Sequence, residues 1–367
     1  MIIFFISIIS FILALVHFVI YKTIVSIFSL SLVWRIVSAI ILIILCLSFV
    51  LASILTFNFN NLFTRILYTF SATWLGFAFY LFLASCIFAL ATLVLSIFNL
   101  DISLQWFGIV CLTLAVIVSI YGTIHARTIV VKNITVPLPN LPTEWQGKKA
   151  VYISDVHLGA VNGEGFSANI VAKINEINPD IVFIGGDLYD GVKVDELEII
   201  KPFSDLHPTL GVYFVTGNHE EFRDDKHYLK NIENIGIHVL DDKIVTINGL
   251  QLVGVGDRDS INPVKFQDIL SNLNIDKNKP TILLKHQPLQ LDIAEKAEIS
   301  FQISGHTHKA QTFPLNIFTH FIFKGYDYGF HMYKNMAVYT SSGVGTWGPP
   351  LRVGSDGEIV VLSFTEK

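Results

Sequence analysis

Ala150-Val151-Tyr152-Ile153-Ser154-Asp155-Val156-His157 is a short apolar run that ends abruptly in Asp-x-His. Four consecutive apolar side chains suit a strand covered on both faces, and the polar residues that follow mark where it leaves the sheet. The pattern recurs. Ile181–Ile184 runs into Gly185-Gly186-Asp187, and Val212–Val215 into Gly217-Asn218-His219-Glu220. Thr281–Leu284 runs into Lys285-His286, and Phe301–Ile303 into Gly305-His306-Thr307-His308. Between the first two runs, Phe166, Ile170, Val171, Ile174 and Ile177 recur at helical spacing, which predicts a helix laid on the sheet. Alternating strand, loop and helix define an α/β layered domain. Further strands are expected at Ile244–Ile247, Leu250–Val255, Ala337–Thr340 and Ile359–Phe364. Asn248-Gly249 reads as a hairpin turn, since both turn positions need positive φ. A parallel core with antiparallel additions follows.

Residues just past the carboxyl ends of such strands converge on one rim. The clusters Asp155-x-His157, Gly185-Gly186-Asp187, Gly217-Asn218-His219-Glu220, Lys285-His286 and Gly305-His306-Thr307-His308 should therefore meet. They offer carboxylate, amide and neutral imidazole, the donors that hold two divalent metal ions side by side. Taken singly, each cluster reads as an ordinary polar turn. Their order and their shared position after strands are what make them a site.

The first third of the chain is of a different kind. Before His125 the only charged side chains are Lys22, Arg35, Arg65 and Asp101. Four apolar stretches, Met1–Ile20, Ile36–Thr56, Phe70–Phe98 and Leu104–Ile124, each reach the roughly 20 residues a helix needs to cross about 30 Å of hydrocarbon. Trp34, Trp74, Trp106, Tyr21, Tyr68 and Tyr121 lie near the expected helix ends and read as headgroup-level anchors. Residues 1–124 are thus an all-α transmembrane region and 149–367 the α/β domain. The stretch 125–148 reads as an extended linker, because Pro137, Pro139 and Pro142 disfavour helix. The expectation is a multi-pass protein of the cell membrane in contact with membrane lipids. Four crossings put both termini on one side. Arg65, Arg127 and Lys132 there, against Lys22 and Arg35 opposite, lean the α/β domain toward the cytoplasm.

Cys46, Cys86 and Cys111 all fall within the apolar stretches and give neither a disulfide framework nor a redox clue. With 25 basic and 30 acidic side chains, the net charge of -5 argues against nucleic acid as a partner.

The ordered set Asp155-Val156-His157, Gly186-Asp187, Gly217-Asn218-His219-Glu220, His286 and Gly305-His306-Thr307-His308 resembles the five motif blocks of the calcineurin-like metallophosphoesterase superfamily. The likeness runs from about Lys149 to the C-terminus. It is nearest to the membrane-associated YkuE- and YaeI-like branch, on Gly186-Asp187-Leu188-Tyr189-Asp190-Gly191 and on Ser341-Ser342-Gly343-Val344-Gly345 through Pro349-Pro350-Leu351-Arg352. This resemblance implies an αββα sandwich. It also implies two divalent ions, Mn, Fe or Zn by donor type. Asp155, His157, Asp187 and His308 would hold one ion, and Asn218, His286 and His306 the other, with Asp187 bridging. His219 resembles the catalytic histidine that stabilises charge or protonates the leaving oxygen during in-line attack of water on phosphorus.

Asp190 and Glu220 are expected to orient ligands or to be solvated turn carboxylates. Arg352 is the candidate for contacting a substrate phosphate through its guanidinium fork. Asp257 and Arg258 also follow a strand, without an assignable role. The unusually apolar segment Phe313–Phe323 reads as core packing or contact with the helical part, in preference to a lip on a bilayer surface. The leading function is hydrolysis of a phosphate ester or pyrophosphate bond in a phosphorylated small molecule or lipid-linked substrate. Cleavage of a nucleotide diphosphate from a diacylated sugar, as by UDP-diacylglucosamine pyrophosphatases, is one instance. The alternative is a membrane sensor or transporter regulated by its phosphoesterase domain.

Overall fold

The four apolar stretches fold as α1 (Ile2–Phe28), α2 (Leu32–Asn58), α3 (Leu62–Ile97) and α4 (Gln105–His125) in the computed structural model, which describes residues 2–59, 61–191, 195–222 and 227–367. Each is long and apolar enough to cross a membrane. The chain divides into two compact units, Met1–His125 with Gly348–Leu351, and Ala126–Trp347 with Arg352–Lys367.

Within the first unit, α3 packs against the other three helices through a seam rich in small residues, among them Ala72, Ala78, Ala84 and Ser85. Gly108 of α4 lies so close to α1 that a Cβ there would meet Ile27 at 2.4 Å, the small-residue packing expected of apolar helices in lipid. α3 starts eight residues before the apolar stretch at Phe70, because Asn61 caps it by accepting from the Thr64 amide, 3.0 Å. Its 36 residues span about 54 Å at 1.5 Å each, well beyond a hydrocarbon core. Trp34 and Trp106 are exposed near helix starts, where the anchor reading expects them, but Trp74 is not at a helix end. Trp74 lies inside α3, and its indole N–H donates to His17 Nε2 at 3.0 Å.

In the second unit the chain enters β1 (Ile129–Leu138) almost at once, and then β2 (Lys149–Ile153), α5 (Glu164–Ile177), β3 (Ile181–Ile184), α6 (Glu196–Ile200) and β4 (Val212–Phe214). α7 (His227–Asn234), β5 (Ile237–Val239), β6 (Lys243–Ile247), β7 (Leu250–Val255), α8 (Asp257–Ser260), α9 (Pro263–Asn272) and β8 (Thr281–Lys285) follow. α10 (Leu291–Lys296), β9 (Phe301–Ser304), α11 (Leu315–Ile322), β10 (Gly329–Tyr333), β11 (Met336–Thr340) and β12 (Gly357–Glu366) complete it. Two six-stranded sheets result, ordered β1-β12-β2-β3-β4-β5 and β10-β11-β9-β8-β7-β6. Parallel strands form the centre of each, with antiparallel pairs β12–β2, β6–β7 and β10–β11.

Strand alternation builds the layers. Ala150 and Tyr152 of β2 face the core between the sheets, while Val151 and Ile153 face the core under α5. On the other sheet Ile282 and Leu284 point inward, and Leu283 points to the core with Phe266 and Leu270 of α9. Helix, sheet, sheet, helix is the αββα sandwich. Asn248 (φ 46) and Gly249 (φ 84) make the expected hairpin between β6 and β7.

Two expectations are corrected here. The stretch 125–148, read as linker, contains β1, which pairs in parallel with β12 over its whole length. Pro137 is tolerated because β1 is an edge strand, where a missing N–H costs no ladder bond on its open side. The segment Phe313–Phe323 is not core: it forms α11, and no residue of that helix is buried.

Candidate metal centre

Loops after β2, β3 and β4 of one sheet and after β8 and β9 of the other bring all seven candidate ligands together at one rim. The β2 and β3 loops are laced by backbone bonds, Asp155 N–H to Gly186 O and His157 N–H to Asp187 O, both 3.0 Å. Five of the seven candidates, Asp155, His157, Asp187, His306 and His308, have φ between 50° and 69°. Non-glycine residues seldom take this region, and such strain persists where the surroundings over-determine it. Here it turns side chains inward from chains that are leaving the sheet. Close approach demands glycine at two neighbours: a Cβ on Gly217 would meet Asp187 Oδ1 at 2.2 Å, and one on Gly305 would meet Asp155 Oδ2 at 2.3 Å.

The donor atoms form two groups. In the first, His157 Nε2 lies 3.0 Å from His308 Nε2, which is 3.3 Å from Asp155 Oδ1. In the second, Asn218 Oδ1 lies 2.9 Å from His306 Nδ1 and 3.1 Å from His286 Nε2. Asp187 Oδ2 belongs to both, 3.8 Å from His157 Nε2 and 3.2 Å from His286 Nε2. Ligand atoms sharing a cation at bonds of about 2.1 Å stand roughly 3.0–3.4 Å apart, so most of these spacings fit a metal, while His157 Nε2 to Asp187 Oδ2 at 3.8 Å is wider. Lone pairs from imidazole, amide and carboxylate facing one another in a buried place fit it too. The triads Asp155/His157/His308, all buried, and Asp187/His286/His306, with His306 half-buried, each place one donor atom per residue within 4.8 Å of the others.

Neighbouring groups aim the donors. His286 Nδ1 donates to Gly185 O at 2.8 Å, which leaves Nε2 facing Asn218 and Asp187. His157 Nδ1 lies 3.4 Å from Asp190 Oδ1, which places this carboxylate beside a candidate ligand. Glu220 holds loops: its carboxylate accepts from the amides of Asp187, Tyr189 and Gly217 at 2.8–2.9 Å. Burial and the nearby Asp187 push the Glu220 carboxyl up to about 7. Lys285 is turned away, with Nζ donating to Gln287 O and lying over the Phe266 ring. Asp257 is buried on Gln287 Nε2, and Arg258 is an exposed partner of Glu221.

Charge sets the proton inventory. Burial works to raise the Asp187 carboxyl, but His286, His157 and His219 outweigh it and hold it far below the usual carboxylate range. Burial works to lower His286 and His157, and the carboxylates outweigh it. Asp187 raises His286, and Asp190 with Asp187 raises His157, so both imidazoles sit above their ordinary range. His306 is pulled down to about 3 by burial and the His286 charge, and His308 well down by burial and His157. The metal-free centre therefore keeps protons on His157 and His286 that a cation must displace. Affinity for a divalent ion should fall as pH drops from about 8 to about 6, and competition with a chelator at both pH values measures it. A flat affinity across that window would refute proton competition at these two histidines.

His219 stands beside the two groups. Its backbone N–H donates to Asp187 Oδ1 at 2.8 Å, and its ring Nδ1 lies 3.2 Å from Asp190 O. With Nδ1 donating there, proton exchange falls to Nε2. Burial pulls this imidazole below its ordinary pKa, against the opposing charges of Asp187 and Asp190. Trp347, which sequence reasoning missed, packs edge-on against His219 with ring centroids 5.6 Å apart, yet is 56% exposed. An exposed indole thus stands beside the candidate acid. The preceding loop was also unassigned: amides of Val344 and Gly345 donate to Ser154 O and Asp155 O at 2.9 Å, bracing the first ligand.

Arg352 corrects the sequence reading. It is fully buried, and its guanidinium donates to the carbonyls of Ser342, Gly343, Gly345 and Asp356 and to Ser355 Oγ, at 2.6–3.3 Å. No fork remains for a substrate phosphate; this arginine staples the loop behind Asp155. Burial lowers its pKa to about 10, so it remains cationic at neutral pH. Arg352→Met should cost about 3 kcal/mol of stability or more, because buried carbonyls lose their donor. Chemical denaturation of the metal-free protein checks this, and an unchanged midpoint would refute the staple.

A rim of metal-binding side chains at the carboxyl ends of a two-sheet αββα sandwich defines a metal-dependent phosphoesterase. Residues 148–310 match the family described as calcineurin-like phosphoesterase, and the chain belongs to that family. It is 31% identical over 254 residues to an uncharacterized metallophosphoesterase of Campylobacter jejuni, covering 68% of this chain and 67% of that one. It is 30% identical to a Danio rerio transmembrane protein with metallophosphoesterase domain, over 68% of this chain and 61% of that one. With YkuE of Bacillus subtilis, an uncharacterized metallophosphoesterase, it shares 26% identity over 61% of this chain and 81% of that one. The chain thus spans about three-fifths to four-fifths of the length of these relatives.

Proposed function

We propose that the chain is a membrane-anchored phosphoesterase with two divalent ions, Mn, Fe or Zn, acting on a phosphate ester or pyrophosphate bond of a lipid-linked substrate. Asp155, His157, His308 and Asp187 hold one ion in this reading, and Asp187, Asn218, His286 and His306 the other. The observation that carries it is Asp187 Oδ2, shared between the two donor groups at 3.8 and 3.2 Å. An anion placed there offsets the repulsion of two adjacent dications. When bound, the ions supply Lewis acidity to phosphoryl oxygens and lower the pKa of a water nucleophile.

The chain's own residues do the rest. Glu220 and the β2–β3 lacing hold Asp187 and Asp155 in place, so little reorganisation is needed at the moment of reaction. His219 delivers a proton to the leaving oxygen. Lipid linkage is supported by the four membrane-length helices and by the chain itself: only three residues separate α4 from β1, an extended reach of about 10–14 Å. The basic residues Arg65, Arg127 and Lys132 favour the cytoplasmic face for this unit.

The test is full-length protein in nanodiscs, loaded separately with Mn, Fe or Zn. Bound metal is counted by mass spectrometry, and rates are compared on matched soluble and lipid-linked monoesters, diesters and pyrophosphates. Two ions per chain, with at least about tenfold higher kcat/KM on one lipid-linked substrate, are expected. A single ion, or equal rates on soluble counterparts, would refute the corresponding half of the reading.

A further inference from the structure

We propose that α11 is a membrane-dipping lip whose apolar side chains enter the headgroup layer of an anionic phospholipid bilayer beside the metal centre. This rests on the reading above for the substrate class alone.

The helix, Leu315-Asn316-Ile317-Phe318-Thr319-His320-Phe321-Ile322, spends its apolar residues on solvent. Phe318 is 63% exposed, Phe321 75% and Ile322 66%. Large apolar side chains gathered on an exposed helix mark an interaction surface, and an apolar face flanked by basic residues suits a bilayer interface. Beside it, the edge strand β10 turns His331 toward the helix, while Phe330 and Met332 project from the opposite face of the strand. A groove of ≈ 360 Å³ runs between the two elements, lined by Lys309, Ile317, His320, Phe321, Tyr328 and His331 among others.

Charge favours a bilayer over a protein of mixed surface. From Lys309 to Asn335 the basic residues are Lys309, Lys324 and Lys334; Lys334 is paired with Glu295 at 2.9 Å, so the positive charge of the stretch rests on Lys309 and Lys324, with His320 and His331 in the same segment. The sole acid in that stretch, Asp327, is buried and paired with His320 Nδ1 at 3.0 Å. A cationic rim in a chain of net charge -5 complements anionic headgroups. Chain continuity supplies the bilayer, since only three residues separate a membrane-length helix from β1, the first strand of this unit.

The lip is tied to the histidine loop. His308, Lys309, Ala310 and Gln311 all have φ of 49–59°, a left-handed turn that carries the chain from a candidate ligand toward α11. Thr307 Oγ1 donates to Asp327 O at 2.6 Å, and the Phe323 ring lies 6.1 Å from the His306 ring. A phosphate borne by a lipid lying against α11 is thereby brought to the rim where the ligands converge.

The experiment uses full-length protein in liposomes of phosphatidylcholine and phosphatidylglycerol, with Cys46, Cys86 and Cys111 replaced by Ala. An environment-sensitive fluorophore is placed at Phe321→Cys, or at Val264→Cys on α9, an equally exposed apolar control at 69%. At 321 the emission should shift to the blue, be quenched by nitroxide-labelled lipid, and resist aqueous iodide; at 264 the reverse is expected. Iodide reaching 321 as freely as 264, without nitroxide quenching, overturns the lip. Alongside it, the Phe318→Asp/Phe321→Asp variant should lose about tenfold on a liposome-embedded phosphoester while keeping its rate on soluble p-nitrophenyl esters. Equal loss on both would overturn a membrane role for these side chains. If the wild-type protein hydrolyses no lipid-borne ester, the substrate reading fails, and the quenching result still decides the lip.

Discussion

Asp187→Asn should lower turnover by about a thousandfold or more and leave fewer than two ions per chain. The substitution keeps size and shape, so its effect isolates charge and donor character. Asp187 uses its two oxygens differently: Oδ1 accepts the His219 backbone N–H at 2.8 Å, while Oδ2 faces both His157 and His286. An asparagine keeping the first bond must turn its NH2 toward the second position, where it presents N–H donors to cations. The shared site then loses an anion and gains partial positive charge. Metal counting and single-turnover rates on the same preparation measure both effects. Two ions per chain with turnover within tenfold of wild type would sink the shared-carboxylate assignment.

How much of this was readable in advance follows from the range of the interactions involved. β2, β3 and β8 announce themselves because both faces are buried, so their residues form unbroken apolar runs. The ligands were legible because each follows directly on such a strand, and the Asn248-Gly249 turn because its chemistry is local. What escaped depends on partners far along the chain. β1 carries Pro137 and an exposed alternate face, and it becomes a strand only by pairing with β12, from Ile129 with Gly357 to Leu138 with Glu366. Arg352 has the composition of a phosphate reader, and only the fold shows that four loop carbonyls consume it. Glu220 lies next to the ligand motif, yet its role comes from three amides, two of them some thirty residues away. α11 reads as core because its composition is that of core; its exposure is a property of tertiary placement. Trp347 left a signal that could have been followed, a lone indole between the Ser341–Gly345 loop and Pro349-Pro350.

His219→Ala should separate acid catalysis from metal binding. The ring is the part removed, and the backbone N–H that donates to Asp187 Oδ1 stays, so both ions should remain bound. For an alkyl phosphoester, whose leaving alkoxide needs a proton, kcat should fall by about 10²–10⁴-fold, with KM little changed. For a p-nitrophenyl ester the loss should shrink to about tenfold or less, because nitrophenolate leaves without one. The pH profile supplies an independent reading. A general acid acts while protonated, so the wild-type rate on the alkyl ester should decline as pH rises through the His219 pKa. Burial sets that pKa below the ordinary imidazole value, so the decline begins at lower pH than an exposed histidine would give. In His219→Ala that limb should vanish. Equal losses on both esters, together with lost metal, would mean that the imidazole positions Asp187 or an ion and that the leaving group takes its proton from elsewhere.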